Sequence, residues 1–67
     1  MADIKYSKHA RLRMVERGIS VNEVSEAINK GSKSRQEDKI LAAHKNLEVV
    51  FKKQNEVCYV ITVMLRW

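Results

Sequence analysis

Residues 47–65 read LEVVFKKQNEVCYVITVML, the pattern of a β-hairpin on which the rest of the chain must pack. Leu47, Val49 and Phe51 alternate with Glu48, Val50 and Lys52, the two-residue period of a strand with one buried face. Val57–Leu65 carries no charge and is rich in β-branched residues, as a strand covered on both faces would be. Between them Gln54-Asn55-Glu56 reads as a three-residue hairpin loop. That loop sets Phe51 opposite Tyr59, Val49 opposite Ile61 and Leu47 opposite Val63, all on one core face. The opposite, open face then holds His44 across from Arg66, Glu48 across from Thr62, and Lys52 across from Cys58, with Val50, Val60 and Met64 among them. A slip of one residue would oppose apolar to polar side chains, so burial should hold the register.

Toward the N-terminus, Ile40-Leu41-Ala42-Ala43 reads as another short strand, and Ser32–Lys39 as loop or an edge strand. The predicted strands span about 39–45, 47–53 and 57–66. Residues 20–30 are helical: Ser20-Val21-Asn22-Glu23 is a capping box, and Ile19 and Val24 can form a hydrophobic staple. Val21, Val24, Ala27 and Ile28 form its predicted apolar face, and Gly31 stops it. An earlier helix over about 7–17 begins at the N-cap residue Ser7 and ends at Gly18. Ala10 and Met14 face its core side, and Arg17 points close to them, so it should need a carboxylate or carbonyl partner. The expected architecture is α+β: two N-terminal helices on one face of a three- to four-stranded antiparallel meander, in one domain over residues 1–67.

The chain has 67 residues, a net charge of +5 and one cysteine, Cys58. One Cys makes no internal disulfide, and with two distant His it makes no four-ligand zinc site, so no metal or cofactor is expected. Cys58 reads as a buried or half-buried thiol. No stretch is long and apolar enough to span a membrane as a helix, which suits a cytoplasmic protein. The positive charge is uneven: residues 5–17 hold Lys5, Lys8, Arg11, Arg13 and Arg17 against Glu16 alone. A basic surface of this kind suits phosphate or other anionic partners.

His9, Arg13 and Arg17 stand four residues apart, so a helix stacks them in one stripe. An imidazole can move a proton, and guanidiniums can clamp a phosphate. Together they suggest metal-independent RNA cleavage, in which a ribose 2′-hydroxyl gives its proton to His9 and attacks the adjacent phosphate. Thr62 and Arg66 would support that site, while Lys8, Arg11, His44 and Lys52 would bind the nucleic-acid backbone. Trp67 could stack on a base or pack against the fold. The bland alternative is a solvated helix face.

Ser7-Lys8-His9-Ala10, Arg13-Met14 and Arg17-Gly18-Ile19-Ser20 resemble the opening of DUF4258, a small prokaryotic family with no assigned function. Leu47-Glu48-Val49-Val50-Phe51 and Val60-Ile61-Thr62-Val63 resemble its closing strands, so the likeness runs from Tyr6 to about Leu65. Met64 stands where that family often has an aromatic residue. The family is similar to RelE- and BrnT-like toxins, small metal-independent ribonucleases of toxin–antitoxin systems. This resemblance implies helices followed by an antiparallel sheet, polar groups on or near the sheet that handle phosphate, and an antitoxin-like protein that covers them. His9, Arg13, Arg17 and Thr62 match its polar signature.

Two readings follow. One is a toxin-like basic domain that binds RNA and cleaves it without metal. The other is a non-enzymatic interaction module, forming a homodimer through the open sheet face, with Arg13 and Arg17 in internal ion pairs to Glu37, Asp38 or Glu48. The exposure of the guanidinium groups separates the two.

Overall fold

The computed structural model describes residues 3–66. Two helices, α1 (Lys8–Arg17) and α2 (Val21–Lys30), lie on a five-stranded sheet. The strands are β1 (Asp3–Tyr6), β2 (Ser32–Gln36), β3 (Lys39–His44), β4 (Leu47–Gln54) and β5 (Val57–Leu65), in the order β1-β5-β4-β3-β2. β2 to β5 form an antiparallel meander, whereas β1 pairs parallel to β5. The sheet is therefore mixed, not purely antiparallel, and its first strand precedes both helices. Asp3-Ile4-Lys5-Tyr6 alternates, but four residues carry too little period to announce a strand. Its ladder partner lies more than fifty residues away, from Val57 to Val60.

The helix ends follow their caps. Ser7 accepts a hydrogen bond from the Ala10 N–H at 3.0 Å, and Gly18 closes α1 in the left-handed region, at φ 67°. Ser20 and Glu23 form the reciprocal capping box, at 3.1 Å each way. Ala10, Met14, Ile19, Val24, Ala27 and Ile28 join Ala42, Leu47, Val49, Phe51, Val60 and Val63 in one core between helices and sheet. Val21 is not part of it. The first residue of α2 lies beyond the sheet's reach and is 57% exposed.

The β4–β5 register differs from the sequence reading. The turn is the two residues Asn55-Glu56, with Asn55 at φ 57°, and Gln54 already opposes Val57. Phe51 opposes Val60 and Lys52 opposes Tyr59. A β-bulge at Ile61 then shifts the ladder, so that Val50 opposes Thr62, Glu48 opposes Met64 and Leu47 opposes Leu65. The extra residue is what lets Cys58 and Val60 on one side of it and Val63 on the other all face the core. Tyr59 consequently lies on the open face, and Val60, expected there, is fully buried.

The bulge is anchored to the helix above it. The Ser7 hydroxyl donates to the Ile61 carbonyl at 2.7 Å, and the Ser7 N–H donates to the Val60 carbonyl at 2.9 Å. One serine thus caps α1 and fastens it to β5.

Candidate functional site

β1 accompanies β5 only as far as Val60, and then the chain turns into α1. Among the described residues the last part of β5 therefore has no strand on that side, and α1 packs there instead. Arg13 and Arg17, one turn apart, line a hollow of ≈ 240 Å³ with Val63, Met64 and Leu65. Neither arginine forms an ion pair among the described residues. The carboxylates expected to neutralise them are elsewhere: Asp38 pairs with Lys52 at 3.1 Å and Glu48 with Arg66 at 3.1 Å. Glu37 is exposed in the β2–β3 turn. The expected carboxylate partner for Arg17 is thus absent among the described residues, because its exposed place in the last turn lets water solvate the group. Two adjacent, unneutralised guanidiniums repel each other and favour an anion between them.

The other sequence candidates are dispersed. His9 stands one turn before Arg13 on α1, exposed and outside the hollow. Lys8 and Arg11 are exposed on the same helix. Thr62 lies on the open sheet face opposite Val50. Lys52 and Arg66 are held by the two carboxylates just named. Trp67 lies outside the described residues.

His44 is the clearest displacement. It pairs with Leu47 in the β3–β4 ladder, so it shares the helix-covered face with Ala42 and not the open face with Lys52. Its Nε2 meets the Glu26 Oε1 of α2 at 3.1 Å. The pair lines a second hollow of ≈ 290 Å³ with Glu23, Lys45, Asn46, Leu47 and Leu65. Leu65 borders both hollows. The His44 hydrogen bond, helped by Lys45, holds the Glu26 carboxyl below its ordinary range. A neutral His44 that donates from Nε2 leaves Nδ1 as its proton acceptor. Glu26 had no sequence signal, since its partner comes from a strand eighteen residues away. His44 had one: Ile40, Ala42 and His44 alternate along β3 and so share a face.

Among the described residues, no three His, Cys, Asp or Glu side chains gather as a metal set. Cys58 is buried. No helix among the described residues is long and apolar enough to cross a membrane.

Residues 6–65 match the family described as "Domain of unknown function (DUF4258)". No curated protein matches the chain. Among solved structures, the fold is similar to a chain in the crystal structure of the toxin–antitoxin complex RelBE2 from Mycobacterium tuberculosis. The TM-score is 0.71 at 13% identity, over 97% of this chain and 98% of that one.

Proposed function

We propose that this chain, which belongs to the DUF4258 family, is a toxin-like domain that binds single-stranded RNA through its phosphates. The observation that carries the proposal is the pair Arg13 and Arg17, without a carboxylate partner among the described residues and converging on one hollow. Each guanidinium offers a planar fork of donors suited to phosphate oxygens. His9 continues the stripe toward the N-terminus of α1, and the net charge of +5 adds long-range attraction. The likeness in fold to a chain of a toxin–antitoxin complex supports an antitoxin-like partner for this chain as well.

The test is RNA binding as a function of salt. Fluorescence anisotropy with a single-stranded oligoribonucleotide should show log K falling with log salt by about 0.7 per phosphate neutralised. Arg13→Ala combined with Arg17→Ala should lower that slope by about 1.4 and leave the stability within roughly 0.5 kcal/mol of wild type. Salt-independent binding, or a double variant that binds like wild type, would refute the reading.

The His44–Glu26 pair favours a second reading, that the bound strand is also cut. His44 Nδ1 would take the proton of a ribose 2′-hydroxyl, and the 2′-oxygen would attack the phosphorus. The bond to the 5′-oxygen would break as that oxygen takes a proton from water, the resulting hydroxide then taking the proton back from His44. Arg13 and Arg17 would carry the charge that builds on the phosphate. The products would be a 2′,3′-cyclic phosphate and a 5′-hydroxyl. Incubation of RNA with the pure protein in EDTA should yield them, and His44→Ala should abolish cleavage while retaining binding. Binding without cleavage by the wild-type protein would remove this second reading alone.

A further inference from the structure

The corner between α1 and α2 carries an apolar patch that neither the core nor the RNA site uses. Leu12 is 58% exposed, Val15 81% and Val21 57%. Leu12 and Val15 are three residues apart on α1 and so are neighbours on its surface. Val15 and Val21, with Tyr6, Met14, Ile19 and Arg11, line a hollow of ≈ 500 Å³. The Tyr6 hydroxyl, though out of water, has no hydrogen-bond partner among the described residues. Orphans of this kind are uncommon in protein interiors.

The rim of this patch is cationic toward the start of α1, at Lys8 and Arg11, while Glu16 borders it beyond Leu12. At about 100° per residue, Lys8, Arg11, Leu12 and Val15 fall on one flank of α1, while His9, Arg13 and Arg17 fall on the other. Lys8 and Arg11 are exposed and make no ion pair among the described residues. The first turn of α1 holds no acidic residue.

We propose that this corner docks an amphipathic helix of a partner protein, its apolar side chains in the hollow and its carboxylates against Arg11 and Lys8. Exposed apolar side chains beside a hollow are the features of helix-in-groove recognition. A second copy of this chain fits poorly, because its own Arg11 and Lys8 would meet these two. An RNA backbone fits poorly as well, because Leu12, Val15 and Val21 give nothing to a phosphate. The proposal is independent of the RNA reading, which uses the opposite flank of α1.

The probe is an alanine-based helical peptide of about 16 residues, with leucines along one stripe flanked by glutamates, beside a counterpart bearing lysines. Amide shifts of the ¹⁵N-labelled full chain should gather at Tyr6, Arg11, Val15 and Val21 with the glutamate peptide. Val15→Asp and Arg11→Glu should each weaken that peptide about tenfold, and Arg11→Glu should come to prefer the lysine peptide. Both positions are exposed, and circular dichroism would verify that the variants fold. No shift with up to about 1 mM peptide, shifts gathered on the open sheet face around Tyr59 and Met64, or indifference to the charge at Arg11 would each overturn the proposal. So would a single-stranded RNA that shifts the same amides more strongly than the peptide.

Discussion

Gly31 occupies a point where a side chain has no room. A Cβ there would collide with the Ala27 carbonyl oxygen and would lie 2.8 Å from that of Ala43. Both obstacles are backbone, so neither can rotate away. The φ of −72° is ordinary, and close approach of α2 to β3 is the whole reason for glycine. Gly31→Ala should therefore cost about 1–3 kcal/mol, read from urea unfolding. Gly18 has the opposite basis: open space around it and φ 67°. Both glycines give one sequence signal, a helix stop. The packing that distinguishes them involves Ala43, twelve residues further along the chain. His44 makes the same point for the site, since its role depends on Glu26, which no local pattern joins to it.

Ser7 joins elements. Its hydroxyl accepts from the Ala10 N–H and donates to the carbonyl of Ile61, the bulge residue that has no register partner on β4. Ser7→Ala would remove a cap and leave a part-buried carbonyl unsatisfied. The expected loss is about 2–3 kcal/mol, more than a cap alone contributes, and Ser7→Thr should recover most of it. Amide exchange should quicken at the first turn of α1 and around Ile61 together. A loss confined to the helix would show that the tie to β5 contributes nothing. The strand that follows the bulge forms the wall of the arginine hollow, so the same serine helps to set how α1 presents Arg13 and Arg17.

Across the whole molecule, acidic pH should loosen the ties between elements. Glu26 joins α2 to β3, and Asp38 joins the β2–β3 turn to β4. The His44 hydrogen bond lowers the Glu26 pKa from 4.5, and the Lys52 hydrogen bond lowers that of Asp38 from 3.8. Each folded-state pKa lies below its unfolded value, so the stabilisation is present above those values and is lost as pH falls through the lower, folded ones. Both carboxylates are solvent-exposed, so the effect is modest. Thermal melts between about pH 6 and pH 2 should fall less steeply for Glu26→Gln combined with Asp38→Asn than for wild type. Equal slopes would mean that neither pair contributes.

Local sequence signals were enough for what neighbouring residues decide: where the two helices start and stop, that the chain then changes to a two-residue period, and that positive charge gathers on α1. Caps, turns and hydrophobic period act over a few residues, so they can be read in order along the chain. Long-range packing is what brings Asp3–Tyr6 into the sheet, bulges Ile61 so that Val60 enters the core, joins His44 to Glu26, and leaves Arg13 and Arg17 without an ion pair among the described residues. Those outcomes rest on contacts between residues far apart in sequence, and they are chosen by how one small core closes around its bulkiest side chains.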